Sequence, residues 1–145
     1  MFKHILFPTD GSPASLVAAA HCVRFAADIG ARLTILHSSA PLHLFSYEPI
    51  VVDEAYEEYR RNRDRICAEC LAPVEELARN AGIPFDSVTV DADEPYTAII
   101  TTAHNKGCDL VAMASHGRKG IKGVLLGSQT QKVLTHSTLP VLVFR

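Results

Sequence analysis

The segment 113–130 contains the residues of this chain with the clearest chemical potential. An apolar run that ends at Ala114 is followed by a loop of glycines and cations: Gly117, Arg118, Lys119, Gly120, Lys122 and Gly123. The loop leads to Gly127 and then Ser128, where we expect a helix to begin, since Ser128 and Gln131 have the spacing of a capping box. A helix N-terminus offers free N–H groups and a positive dipole, and glycines let an anion approach the backbone closely. The pattern therefore predicts an anion cradle, although an ordinary connection between a strand and a helix has the same local features.

The charge of the chain limits what this anion can be. The 145 residues include 14 Lys and Arg against 16 Asp and Glu, which gives a formal net charge of −2. A slightly acidic chain is not typical of proteins that bind nucleic acid. The cations at 118, 119 and 122 are better matched to a small phosphorylated ligand. We therefore expect no nucleic-acid partner.

The apolar segments and the cysteines predict a cytoplasmic protein with no membrane partner. No apolar run approaches the roughly 20 residues of a membrane-spanning helix, and the N-terminal run stops too early, at Pro8, for a signal peptide. The four cysteines, Cys22, Cys67, Cys70 and Cys108, are scattered, which suits a reducing compartment. Cys67 and Cys70 form a C-x-x-C pair, but the pair lies inside a helical pattern rather than at a helix start, which disfavours a redox role.

Five apolar segments bounded by turn residues alternate with helical patterns. The predicted strands are Ile5–Phe7, Leu33–Ser38, Phe85–Asp91, Asp109–Ala114 and Pro140–Phe144. The predicted helices run from Ser12-Pro13 to Gly30, from Asp53 to Ala81, from Pro95 to Gly107 and from Ser128 to about His136. This alternation over residues 1–145 predicts a single α/β domain with a parallel sheet and right-handed crossovers. Ligands of such sheets bind beyond the carboxyl ends of the strands, which here are Pro8-Thr9-Asp10 and the residues after Ala114.

Two of the helical patterns carry a more detailed prediction. In the first, the residues that recur at helical steps, and should form its buried face, are Leu16, Ala20, Val23 and Ala27. In the second, Pro73 removes a backbone donor, so we expect a kink or two separate helices there.

The same features occur together in the universal stress protein family, which the sequence resembles over nearly its whole length. The resemblance rests on five segments in this order: residues 5–12 (ILFPTDGS), Leu36-His37, 109–117 (DLVAMASHG), 125–128 (LLGS) and 139–143 (LPVLV). ATP-binding members of the family share a glycine, two residues, a second glycine, nine residues, and then a glycine followed by serine or threonine. Gly117 and Gly127-Ser128 match this pattern, whereas Ala114 stands at the first glycine position.

Carried over position by position, the resemblance implies a site for adenosine and its phosphates. The segment Pro8-Thr9-Asp10 would line the adenosine, with the Asp10 carboxylate on a ribose hydroxyl. Ser38 would touch the adenine, at a position where the family usually has a hydrophobic residue, and Met113-Ala114 would pack near the ribose. The residues that would surround the phosphates, through backbone N–H groups and hydroxyls, are Gly117, Arg118, Gly127, Ser128, Gln129 and Thr130.

The resemblance also implies the fold, the assembly and the activity. The fold would be a Rossmann-like three-layer sandwich whose five parallel strands are ordered 3-2-1-4-5. The ligand would be ATP, with AMP or ADP as alternatives and Mg or Mn as an optional metal, and the protein would have a regulatory stress-response role with little or no turnover. We also expect a homodimer, because the apolar final strand 141–144 invites pairing with another chain if it lies at the edge of the sheet.

Other interpretations of the same residues stay open. Asp10 is also an ordinary turn residue before a helix, and His37 in an apolar strand is most simply a hydrogen-bonded core histidine. No serine and acid are arranged around His116 in the sequence, so we do not expect it to be a catalytic base. Two other functions are compatible with the sequence: a dimeric interaction module that does not bind ATP, which Ala114 and Ser38 favour, and a slow ATPase or an enzyme of adenylate chemistry.

Overall fold

The computed structural model describes residues 1–41, 49–117, 123 and 125–145, with only the backbone described for 49–52. The elements along the chain are β1 (His4–Pro8), α1 (Pro13–Ile29), β2 (Arg32–Ser39), α2 (Pro49–Asn80), β3 (Phe85–Asp91), α3 (Pro95–Asn105), β4 (Leu110–Ala114), α4 (Ser128–His136) and β5 (Val141–Phe144). The strands form one parallel sheet in the order β3-β2-β1-β4-β5. The predicted α/β class and strand order are therefore confirmed.

A separate hydrophobic core lies on each face of the sheet. The α1–α2 core contains Ile5, Phe7, Leu33, Ile35 and Ala112 from the strands with Ala19, Cys22, Leu71, Val74 and Ala78 from the helices. The α3–α4 core contains Leu6, Leu36, Val111 and Met113 from the strands with Ala98, Ile99, Ala103 and Val133 from the helices. Successive residues of a strand point to opposite faces, so continuous apolar strands supply both cores at once. This arrangement is the predicted three-layer sandwich.

The ends of α1 follow the sequence prediction, whereas its buried face does not. Ser12 caps the helix by accepting a hydrogen bond from the Ser15 N–H at 3.1 Å, and Gly30 ends it with a φ of 66°. Of the predicted face only Val23 is buried, and Leu16 remains 41% exposed. The buried residues are Ser15, Ala18, Ala19, Cys22, Val23 and Ala26. These side chains are mostly small, which allows α1 to lie close to the sheet. Because alanines also occupy the exposed face of α1, the hydrophobic periodicity of its sequence is weak, and the buried face was predicted incorrectly.

The second helix, α2, is continuous through Pro73, so the alternative of two helices is wrong. It also begins at Pro49, earlier than the predicted start at Asp53. Buried residues lie on both sides of the proline, with Cys70 before it and Val74 after it. This packing against the sheet offsets the loss of one backbone hydrogen bond.

Candidate functional site

The central strand of the sheet, β1, and its neighbour β4 end at the same edge. Their last residues are Pro8 and Ala114. The register pairs Ile5 with Leu110 and continues at the next residue of each strand. The connections after β1 and β4 lead to helices on opposite faces of the sheet, which makes this edge the switch point of the winding. It is where ligands bind in open parallel sheets, and it is the position that the sequence predicted.

Asp10 and Gly117 are in contact across the switch point. A Cβ atom added to Gly117 would stand 2.3 Å from Asp10 Oδ2, which no real side chain allows. A side chain at 117 would therefore displace the Asp10 carboxylate, and glycine leaves room for it. The other carboxylate oxygen, Oδ1, accepts the Ser12 N–H at 2.9 Å. Asp10 thus has the turn role that its local sequence predicted, and it also reaches the loop after β4.

Thr9 is buried and holds the turn after β1. Its N–H donates to the Leu36 carbonyl at 2.8 Å, and its Oγ1 accepts from the Ser15 hydroxyl at 3.0 Å and the Gly11 N–H at 3.2 Å. Its carbonyl accepts a hydrogen bond from His37 Nδ1 at 2.9 Å. His37 is therefore the hydrogen-bonded core histidine that the sequence predicted. The polar groups of Thr9 are largely used in positioning the turn.

The N-terminus of α4 is attached to the end of β4 by hydrogen bonds. The Gly127 N–H donates to the Ser115 carbonyl at 2.7 Å, and the buried Thr130 hydroxyl lies 3.1 Å from the Ala114 carbonyl and 3.3 Å from that of Ser115. Gly127 is the N-cap residue and makes no side-chain cap, while Ser128 is already the first helical residue. The predicted capping box at Ser128 is therefore wrong. The bond to Ser115 fixes Gly127 as the last residue outside the helix.

The Gln129 side chain connects α4 to the start of α3. Its Oε1 accepts the Tyr96 N–H at 2.9 Å, and its Nε2 donates to Glu94 Oε2 at 3.2 Å. Lys132 also donates to Glu94 Oε2, at 2.9 Å, and the hydrogen bonds from Lys132 and Gln129 lower the pKa of the Glu94 carboxyl. Sequence reasoning missed this cluster, because Glu94 and Gln129 are 35 residues apart and no motif relates them.

The groups that α4 offers to an anion are chiefly backbone groups. The first hydrogen bond within this helix joins the Gln131 N–H to the Gly127 carbonyl at 3.0 Å. The N–H groups of residues 128–130 precede it and have no partner within the helix. Together with the helix dipole they make this end of the site positive, and the exposed Ser128 adds a hydroxyl. These N–H groups are the ones that the predicted anion cradle would use, and the binding of an anion there stays a prediction.

Met113 and Ala114, which were predicted together near a ribose, lie against different cores. Met113 is buried in the α3–α4 core, whereas Ala114 packs against the α1–α2 core. Side chains alternate between the two faces along β2, so Ser38 lies on the same face as Leu36. That face carries the α3–α4 core, which also contains Met113. The extra methyl group of Ala114, relative to the glycine of the motif, is therefore accommodated by packing against the α1–α2 core.

Of the two remaining predicted site residues, Ser38 lies within the described part of the chain and Arg118 does not. Ser38 Oγ is buried and has no hydrogen-bond partner among the described residues. Arg118 lies outside the described residues, as do 119–122 and 124. Within the described ranges, no group of three or more His, Cys, Asp and Glu side chains could hold a metal ion.

Two surface grooves lie away from the switch point. One, of about 390 Å³, is lined by α2 and by Thr89 of β3, and the other, of about 460 Å³, lies between α1 and α2. No predicted site residue lines either groove. In the first groove, Arg63 is paired with Asp91 at 2.7 Å and Glu75 accepts from Ser87 at 2.6 Å. Since these polar groups already have partners, the switch point remains the stronger candidate site.

The structure bears on three further predictions. The final strand, β5, lies at an edge of the sheet, as expected for a strand that pairs with another chain. All four cysteines are buried and free, and burial raises the pKa of the Cys22 thiol to about 12 and that of Cys108 to about 11. Among the described residues, no helix combines the length and the apolar character that crossing a bilayer requires.

Comparison with known proteins gives one consistent result. The model of the universal stress protein family matches residues 1–145. A universal stress protein of Thermus aquaticus is 32% identical over 145 residues and is aligned over the full length of both chains. The structure of MJ0577, a universal stress protein of Methanocaldococcus jannaschii, has a TM-score of 0.81 at 28% identity, covering 99% of this chain and 95% of that one. A universal stress protein solved in complex with cAMP has a TM-score of 0.68 at 26% identity, covering 99% and 97%.

Proposed function

The chain belongs to the universal stress protein family, and from this premise we propose that it binds an adenine nucleotide at the switch point between β1 and β4. The proposed ligand is ATP, with AMP or ADP as alternatives. The proposed role is regulatory, in a stress response, with little or no turnover. The observation that carries the proposal is the α4 N-terminus, which is attached to β4 beside the Asp10–Gly117 contact. The relative solved with cAMP supports an adenine nucleotide as the class of ligand.

Each part of the nucleotide is assigned to a different element. The phosphates would bind the backbone N–H groups of residues 128–130 and the Ser128 hydroxyl, since the side chains of Gln129 and Thr130 already have partners. The ribose would lie beside Asp10 at the end of β1. The base would lie near Ser38 at the end of β2. Mg or Mn, if bound, would accompany the phosphates, as Mg²⁺ commonly does in nucleotide sites.

We further propose a cytoplasmic homodimer formed through β5. The Pro140 carbonyl accepts from the Val111 N–H at 3.0 Å and the Phe144 carbonyl accepts from the Ser115 N–H at 2.8 Å. In a parallel pair such bonds involve alternate residues, so the N–H groups of Val141 and Val143 face away from β4. These groups form an edge that can pair with the same edge of a second copy. The free, buried cysteines support a reducing compartment.

Thermal unfolding with ATP, ADP and AMP tests nucleotide binding. A ligand at one hundred times its Kd stabilises the native state by about 2.7 kcal/mol, which raises the Tm of a chain of this size by roughly 5–10 °C. Inorganic tripolyphosphate, which lacks the nucleoside, should give a much smaller shift. No shift with any of the three nucleotides at millimolar concentration would contradict the proposal and favour an interaction module that does not bind ATP.

A pair of variants and one rate measurement sharpen the test. Asp10→Asn should abolish most of the shift with ATP, whereas Asp53→Asn, the same change on the exposed surface of α2, should leave it unchanged. Phosphate release from ATP should stay well below about one per second, the lower end of ordinary enzyme turnover. Faster release would contradict a regulatory role and favour an enzyme.

A further inference from the structure

Ser38 Oγ is exceptional among the polar atoms of the described residues. It is the one buried side-chain nitrogen or oxygen there that lacks a hydrogen-bond partner. A buried hydroxyl without a partner destabilises the folded protein, and most buried polar groups therefore have one. Its neighbour in the register of β3 is Val90, which packs against the apolar α3–α4 core and provides no polar side chain.

The position of Ser38 at the carboxyl edge relates this hydroxyl to the proposed ligand. The sheet order places β4, β1 and β2 side by side, so the cradle after β4, Asp10 after β1 and Ser38 near the end of β2 follow one another along the edge. Neighbouring strands are roughly 4.8 Å apart, so the distance from β4 to β2 is about 10 Å. A nucleotide whose phosphates lie at α4 and whose sugar lies beside Asp10 therefore brings its base to Ser38.

We propose that the Ser38 hydroxyl forms a hydrogen bond with the polar edge of a purine base, and that it contributes to base recognition in this protein. The inference rests on the proposed nucleotide site. A hydroxyl can donate to a ring nitrogen or accept from an exocyclic amine, whereas an aliphatic residue at this position can do neither. The two-ring purine reaches further from the ribose than a pyrimidine, so the hydroxyl selects for purines. Binding would give the buried Oγ the partner that it lacks.

Calorimetric titration with AMP and with ribose 5-phosphate, which has no base, tests the proposal in three variants. Ser38→Ala removes the hydroxyl and should weaken AMP binding by about 3- to 10-fold, the range for one hydrogen bond. Ribose 5-phosphate, measured by competition with AMP, should have the same dissociation constant for Ser38→Ala as for the unmodified protein. Ser38→Thr keeps a hydroxyl and should retain most of the affinity. Ser39→Ala makes the same change at the next residue, on the other face of β2, and should bind AMP normally.

The stability of the ligand-free protein separates a binding role from a structural one. Ser38→Ala removes an unsatisfied buried group, so its Tm without ligand should be unchanged or a few degrees higher, while its affinity for AMP falls. A lower Tm, or equal weakening of AMP and ribose 5-phosphate, would overturn the proposal in favour of a structural hydroxyl. Unchanged AMP affinity in Ser38→Ala would overturn it while leaving the nucleotide site intact. Failure of the unmodified protein to bind AMP, ADP or ATP would overturn the nucleotide site and this inference together.

Discussion

The contact between Asp10 and Gly117 gives the sharpest test of how the site is built. In Gly117→Ala the new methyl carbon would stand 2.3 Å from Asp10 Oδ2, which is roughly 1 Å short of an ordinary van der Waals separation. The carboxylate must therefore move by about that distance. Such a shift breaks the 2.9 Å hydrogen bond between Asp10 Oδ1 and the Ser12 N–H. Hydrogen bonds to charged groups contribute about 1.5–3 kcal/mol, so we expect the free energy of unfolding to fall by about that amount.

A double-mutant cycle in urea isolates the cause. In an Asp10→Ala background the carboxylate is absent, so adding Gly117→Ala should change the free energy of unfolding by less than about 0.5 kcal/mol, because sites that no longer touch become additive. Gly127→Ala is the matched control: its methyl carbon would lie 3.3 Å from the Ser115 carbonyl oxygen, a tight contact that does not involve Asp10. It should cost about 1 kcal/mol or less, equally in both backgrounds. If Gly117→Ala is equally destabilising with and without the Asp10 carboxylate, the steric explanation is refuted.

Three other predictions concern the attachment of α4 to β4, the buried His4 at the start of β1, and the exposed edge of β5. Thr130→Val removes a buried hydroxyl 3.1 Å from the Ala114 carbonyl and should lower the free energy of unfolding by about 1–2 kcal/mol in urea; unchanged stability would show that this bond does not hold α4. Burial and the nearby Arg32 lower the pKa of His4 below 6.5, so the folded state binds fewer protons than the unfolded state, and stability should fall as the pH drops through 6.5. His4→Gln should lose this part of the pH dependence of the Tm, and an unaltered profile would contradict the assignment. Val143→Pro removes an N–H that faces away from β4 and should convert a dimer to a folded monomer in analytical ultracentrifugation; a monomer before the change, or a dimer after it, would contradict pairing through β5.

The α/β class was predictable because it depends on patterns that the sequence displays locally, whereas the strand order was implied by the family resemblance. Continuous apolar strands such as β4 supply both cores, and that pattern is typical of a parallel sheet covered on both faces. The ends of α1 were also predictable, since Ser12 and Gly30 act through their own backbone and side chain. The buried face of α1 was not, because Leu16 is apolar yet points outward while Ser15 is polar and buried. Which side of α1 is buried depends on its packing against the sheet and α2, which local sequence does not display.

The sheet edge proposed for the site was predictable, whereas the long-range side-chain contacts beside it were not. Gly117 and Gly127 could be identified from their spacing, but the contact of Gly117 with Asp10 depends on the sheet order. Gln129 follows directly after the motif and was predicted to surround the phosphates through its backbone N–H, which stays a prediction. The bonds of its side-chain amide to Glu94 and to the Tyr96 N–H were not indicated by the sequence. The motif predicts which segment would form the cradle. It does not indicate which of its side chains are already occupied by long-range contacts.

The two glycines of the motif have steric functions that differ from each other. Gly117 lets the Asp10 carboxylate approach the loop after β4, and Gly127 lets α4 begin directly against the Ser115 carbonyl, to which its N–H donates at 2.7 Å. Thr130 then fastens the first turn of α4 to the same strand end. These contacts orient the first-turn N–H groups, so the proposed ligand would require little further ordering of this backbone. The positions of the two glycines are therefore explained by the geometry of one strand end and one helix start, and the proposed anion would be recognised by backbone groups that this geometry fixes in place.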